Sequence, residues 1–244
     1  MNYVKLAKLN QTLRSPMLLR ALWHHRVLAG AEHRLVLSRS LATIVDVGAN
    51  RGQFALAARR WAPAAHIISF EPLPGPAGIF RSVFSGDPQV QLHQAALGRC
   101  AEQRVMHVSE KDDSSSLLSI SPLQTTLFPG TAEIGALSVH VGPLSEFVDA
   151  SELQAPAMLK LDVQGSEYEA LLGCQPMLSH FQWVYCECSF MELYVEQKLA
   201  PDVITLLAGN GFRLAGVYNP AYDDAGHCVQ ADLLFSQPAA RSAP

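Results

Sequence analysis

Acidic residues are nearly missing from the first forty positions of this 244-residue chain. Glu32 stands alone there against Lys5, Lys8, Arg14, Arg20, Arg26, Arg34 and Arg39, a net of +6. The whole chain carries −4, so residues 41–244 carry −10. That acidic main part disfavours nucleic acid as a partner, despite the basic lead. A basic helical extension lying on an acidic domain is the simplest reading, and contact with an anionic substrate, lipid or partner is the alternative. Also missing is any apolar run near the roughly 20 residues that a spanning helix needs. Arg20 interrupts Met17-Leu18-Leu19, which makes a poor signal peptide. The expectation is a cytoplasmic protein with no transmembrane segment. Cysteines are few and odd in number (Cys100, Cys174, Cys186, Cys188, Cys228), without metal-ligand spacing, and are expected as reduced core thiols. Cys186-Glu187-Cys188 lies in an apolar strand-like run, its two sulfurs expected on opposite faces of a sheet. There is no histidine cluster and no internal repeat. Charged residues are only 16% against 49% apolar, which excludes global disorder and allows one substantial core.

What is present is organised around Ile44-Val45-Asp46-Val47-Gly48-Ala49-Asn50-Arg51-Gly52-Gln53-Phe54. An apolar, β-branched run enters a turn with two glycines and continues into Phe54-Ala55-Leu56-Ala57-Ala58, giving strand, loop and helix. Glycine suits such a loop because the backbone takes positive φ and a ligand can approach with no Cβ in the way. The expected order is a strand at 43–48, a helix at 53–61, a strand His66–Phe70, a helix at 75–85 and a strand from Val90. Alternation of this kind is the sequence form of a parallel α/β sheet. The rhythm breaks at two extended segments, 104–108 and 137–141, flanking a Ser/Thr-rich stretch expected as an irregular substrate-side lid. A short helix at 144–150, a strand at 157–162, a helix from Glu167 to Leu172, a strand at 183–187 and a helix at 200–209 follow. Two final strands, 212–218 and 231–235, joined by a turn near Asp223–Gly226, must pair antiparallel. The lead, residues 3–37, reads as helix in two pieces broken near Ser15-Pro16. The implied domains are a basic helical extension at 1–40, an α/β domain at 41–237 with an insertion at about 100–142, and a frayed tail at 238–244.

Ligands of open α/β sheets sit outside the carboxyl ends of the strands, where strand order reverses. The acids at strand ends are therefore the candidates: Asp46, Glu71, Asp162 and Glu187. Glu71, ending the second strand, suits a hydrogen-bonded grip on both ribose hydroxyls. A pyrophosphate binder wants G-x-G-x-x-G. Here the loop reads D-x-G-x-x-x-G, with no third glycine, the pattern expected for adenosyl-methionine.

Four blocks together resemble the FkbM family of methyltransferases: Asp46 to Gly52, Phe70-Glu71-Pro72, Ala95-Ala96-Leu97-Gly98, and Leu159 to Glu167 with its Asp162-Val163-Gln164-Gly165 core. The resemblance covers about residues 42–236. It implies a class I methyltransferase Rossmann-like fold, with a mostly parallel seven-stranded sheet and an antiparallel last strand. It further implies methyl transfer from S-adenosyl-L-methionine to a hydroxyl of a sugar, glycolipid or polyketide-type small molecule. On this resemblance Asp46, Gly48, Asn50 and Gly52 form the cofactor loop, Glu71 is the ribose acid, Ala95 and Ala96 meet the adenine edge, and Asp162 lies beside the sulfonium. Asp113, Ser115 and Ser116 are further hydrogen-bonding candidates, with a plain Ser-rich loop as the alternative.

The sulfonium already makes its methyl electrophilic, so the protein must align the reactants and take up the hydroxyl proton. The groups available as base are Asp162, Glu167, Glu187, His140 and His227. Glu167 is also placed to cap its helix, and His227 to be surface polar. A divalent metal between Asp162 and Glu187 is an alternative that no histidine cluster supports. The rival readings are an N-methyltransferase acting on an amine or protein side chain, a NAD-binding oxidoreductase, and a non-catalytic cofactor-binding interaction module. A homodimer is one assembly left open, since oligomeric state is not readable from the sequence.

Overall fold

The computed structural model describes residues 15–237. The helix expected at 3–14 and the tail at 238–244 lie outside them. Seven strands form the main sheet: β1 (Thr43–Val47), β2 (His66–Phe70), β3 (Val90–His93), β7 (Ala157–Leu161), β8 (Trp183–Ser189), β9 (Arg213–Tyr222) and β10 (Cys228–Ser236). Their spatial order is β3-β2-β1-β7-β8-β10-β9. All pairings from β3 to β8 are parallel, and β10 runs antiparallel to both β8 and β9. Strand order therefore reverses between β1 and β7, which places the ligand crevice at their carboxyl ends. The fold is the class I methyltransferase arrangement that the family resemblance implies.

The parallel strands are apolar because helices cover both faces. Helices α3 (Gln53–Trp61), α4 (Pro74–Val83), α7 (Glu167–Cys174) and α8 (Ala200–Gly209) follow β1, β2, β7 and β8. One core joins Val45, Phe70, Leu159, Leu171, Cys186 and Phe212 on one face, and the other joins Ile44, Leu56, Phe80, Met158 and Tyr185. Cys186 and Cys188 lie in the same core. The opposite-face expectation fails, because residues two apart in a strand share a face.

The basic lead packs inward along its apolar side. Helix α1 (Pro16–His25) and the short α2 (Arg34–Leu37) bury Leu18, Ala21, Val36 and Leu37 against the Ile44 and Phe54 face. The second helical piece is shorter than the sequence reading has it. Arg26 adopts φ 57, its N–H donates to the Leu22 carbonyl and the Val27 N–H to that of Ala21, so α1 ends and the chain runs as coil to Gly30.

The insertion is more ordered than its composition suggests. Strands β5 (Glu102–Ser109) and β6 (Glu133–Gly142) pair antiparallel, and the two-residue β4 (Ala96–Leu97) joins β6 in parallel to make a second sheet. Between β5 and β6 a helix, α5 (Pro122–Leu127), starts at Ser121, whose hydroxyl accepts from the Gln124 N–H. Serine before proline is a helix-start signal, so the sequence carries a sign of this helix that the irregular-lid reading overlooks. A single helical turn, α6 (Leu144–Phe147), then leads the chain back toward β7.

Candidate functional site

The loop after β1 is fixed to β2, since the N–H groups of Gly48 and Ala49 both donate to the Phe70 carbonyl. Gly48 has φ +79, and a Cβ there would stand 1.8 Å from the Asp162 carbonyl oxygen. No other residue fits where the loops following β1 and β7 meet. Gly52 has φ +94 and faces the Phe84 and Phe80 rings, so its glycine serves helix packing and not the crevice wall. The Glu71 carboxylate accepts from the Asn50 N–H at 2.9 Å and the Leu73 N–H at 2.8 Å. Burial pushes its pKa up to about 7, against the pull of those two bonds.

Asp46 is not on the crevice wall. It is fully buried, 3.0 Å from the Lys160 ammonium, and Lys160 also donates to the Gly48 carbonyl. Asp46 and Lys160 are register partners on β1 and β7. Direct contact of Asp46 with a cofactor is therefore replaced by support from below, through Lys160 and the loop. Burial works against the Lys160 charge, but the carboxylates of Asp46 and Asp162 outweigh it and raise its pKa above the ordinary lysine value.

Past β7, Gln164 adopts φ 53 and joins two acids. Its Nε2 donates to Asp162 Oδ1 at 2.7 Å and to Glu187 Oε2 at 2.9 Å, and its Oε1 accepts from the buried Tyr194 hydroxyl. Gln230 donates to the other Glu187 oxygen at 2.9 Å. Burial first, then the charge of Asp162, raises the Glu187 pKa well above the usual carboxylate value. Glu167 is turned into its own loop, where Oε1 accepts from the Val163 and Gly165 N–H groups. These bonds fix the loop ahead of α7 and take Glu167 out of reach of a substrate proton. His227 is exposed on the β9–β10 turn and pairs with Asp223 at 3.0 Å; His140 pairs with Glu146 on the insertion. Neither lines the crevice, which corrects the expectation for His227 as a base.

Gly48, Asn50, Glu71, Ala95, Ala96, Ser115 and Asp162 do come together around one cleft of about 600 Å³, counting its open mouth. That size suits a small-molecule site. Asp112 and Asp113, contributed by the insertion, complete its wall. Asp112 is held in place by the Arg51 Nε at 3.0 Å and by Asn50 Nδ2. Among the described residues, four carboxylates (Glu71, Asp112, Asp113, Asp162) and no lysine or arginine line the cleft. Such a wall repels a pyrophosphate and attracts a cation, so the residues fit an adenosyl sulfonium with its ammonium group. Lys160, Gln164 and Asp112 are the residues that sequence reasoning leaves without roles. A lysine inside a strand buried on both faces signals a carboxylate partner, and Asp46 stands at the matching place in β1.

The burial of Glu167 has a measurable consequence. Its pKa is pushed up to about 7 from 4.5 by burial, followed by opposing backbone hydrogen bonds. The native chain holds this proton while the unfolded chain releases it, so stability is greatest below the unfolded pKa and falls as pH rises through the window to about 7. A glutamine at this position would keep the Oε1 acceptor without the charge. Glu167→Gln is expected to raise stability by roughly 2–3 kcal/mol above that window. Urea unfolding at a series of pH values checks it: unchanged pH dependence in the variant would count against the buried, uncharged acid.

Comparison with known proteins bears on the cleft. The family model described as Methyltransferase FkbM domain matches residues 46–214. "Methyltransferase 1" of Beauveria bassiana is 27% identical over 187 residues, covering 70% of this chain and 72% of that one. "2-O-methyltransferase NoeI" of Sinorhizobium fredii is 24% identical over 184 residues, covering 72% and 76%. "31-O-demethyl-FK506 methyltransferase FkbM" of Streptomyces tacrolimicus is 23% identical over 206 residues, covering 73% and 75%.

Proposed function

The chain belongs to the FkbM family of S-adenosyl-L-methionine-dependent methyltransferases, and from that premise we propose that it methylates a hydroxyl group of a sugar, glycolipid or polyketide-type small molecule. The observation that carries this reading is the cleft, charged only by carboxylates, beside the Asp162–Gln164–Glu187 group. One relative is named as a 2-O-methyltransferase and another as a 31-O-demethyl-FK506 methyltransferase. When bound, S-adenosyl-L-methionine supplies a methyl group already activated by its sulfonium. Glu71 would hold the ribose hydroxyls, with Ala95 and Ala96 along the adenine. Gly48 and Asn50 would face the amino-acid end, Ser115 would add a hydroxyl, and Asp162 would face the positive charge. Asp162 and Glu187, tied through one amide, are the groups that would take the acceptor's proton.

Two charge-assisted hydrogen bonds to the ribose, at roughly 1.5 kcal/mol each, make Glu71→Gln worth about a hundredfold in affinity. Calorimetry with adenosylhomocysteine checks this; affinity within a few-fold of wild type would remove Glu71 from the ribose role. The reaction itself is tested with methyl-labelled S-adenosyl-L-methionine and matched panels of hydroxylated and amine acceptors. Label in an acid-stable ether of a sugar or polyol supports the proposal. Label found only in amines would replace it with N-methylation, and tight cofactor binding with no transfer to either panel would favour a non-catalytic module.

A further inference from the structure

The outer side of the N-terminal lead is both apolar and basic, and the cofactor cleft does not use it. Trp23 is 87% exposed on α1, an extreme for so large an apolar side chain, and Leu19, one turn before it, is 39% exposed. Residues four apart share a helix face, so the two side chains make one outward stripe. Met17 on α1 and Leu35 on α2 are exposed as well. Arg20, Arg26 and His24 stand exposed around the stripe. A shallow groove between α1 and α4 is lined by Arg20, His24, His25, Arg81, Ser82 and Ser85, with no acid among the described residues; Arg81 also donates to Gln94 at 3.0 Å. The sequence ahead of α1 adds Lys5, Lys8 and Arg14 and no acid.

We propose that this face docks on the surface of an anionic lipid bilayer. A tryptophan with a polar edge and an apolar body suits the headgroup boundary. Arginines on either side supply the attraction that anionic lipid headgroups give to basic residues. Among the described residues no helix is long and apolar enough to cross a membrane, so the contact lies on the bilayer. An isologous contact between two copies would set this positive cluster against itself. The charge separation along the chain, +6 over residues 1–40 against −10 over residues 41–244, favours the orientation in which the lead meets an anionic surface first.

The test is co-sedimentation of the full chain with vesicles of phosphatidylcholine alone and of phosphatidylcholine and phosphatidylglycerol in equal parts. Wild-type protein is expected to sediment with the mixed vesicles and to be released by salt. Trp23 emission should shift to the blue on binding, a shift absent in Trp23→Phe because Trp61 and Trp183 are partly buried. Arg20→Glu should weaken partitioning by at least about fivefold, and Trp23→Ala should weaken it further. Both variants alter exposed side chains, and unchanged adenosylhomocysteine affinity shows that their fold and cleft are intact. No sedimentation with the mixed vesicles overturns the proposal. So does equal binding by Arg20→Glu, or a concentration-dependent dimer that Trp23→Ala abolishes while vesicles bind neither protein.

Discussion

Glu187→Gln is expected to slow methyl transfer by roughly 10²–10⁴-fold while leaving adenosylhomocysteine affinity nearly unchanged. The asymmetry follows from position. Glu187 is not on the wall of the cofactor cleft, but it shares the Gln164 amide with Asp162, which is. Burial, and then the charge of nearby Asp162, holds the Glu187 pKa well above the usual carboxylate value. Glu187 therefore has a high proton affinity, which a base for an alcohol proton needs. Glutamine preserves shape and loses the capacity to take that proton. The wild-type rate should rise with pH as Glu187 ionises, and the variant should lose that limb. Single-turnover measurements at several pH values separate the step from binding. An unaltered rate would mean that the acceptor is deprotonated without this pair, as an amine losing its proton to water would be.

Lys160→Met is expected to cost the fold roughly 3–5 kcal/mol, the usual consequence of removing one partner of a buried ion pair. Asp46 would be left fully buried without its cation. It would have to bind a proton to stay inside, so the loss should shrink at acid pH, where protonation is easy. Methionine matches lysine's volume, so a cavity would contribute little. For the same reason Asp46→Ala is a poor probe of cofactor binding, because it leaves an ammonium among apolar strands. Urea unfolding at neutral and acid pH measures the effect. A loss below about 1 kcal/mol, the range of exposed pairs, would show the pair to be hydrated and the loop otherwise supported.

The sheet is legible in the sequence because parallel strands buried on both faces must be short apolar runs, and β1, β2 and β7 are. The strand-end acids are legible for the same topological reason, and Glu71 and Asp162 both reach the cleft. Asp46 misleads because adjacency in sequence to Gly48 does not say on which side of the sheet a side chain lies. Its partner becomes apparent only when the β1–β7 register pairs it with Lys160. The insertion is harder to read. Its Ser/Thr content hides a helix whose start is marked by Ser121 and Pro122, and its contribution to the cleft rests on long-range bonds such as Arg51 to Asp112. His227 fails through distance, since a hairpin turn at the sheet's far edge gives no sequence sign of how far it stands from β7.

The proposed function requires a nucleoside sulfonium held between Glu71 and Asp162. A crystal structure with adenosylhomocysteine bound tests this most directly. It should show both ribose hydroxyls on the Glu71 carboxylate, the adenine along Ala95 and Ala96, and the sulfur on the side of Asp162. Density for the nucleoside elsewhere, or a ribose turned away from Glu71, would contradict it.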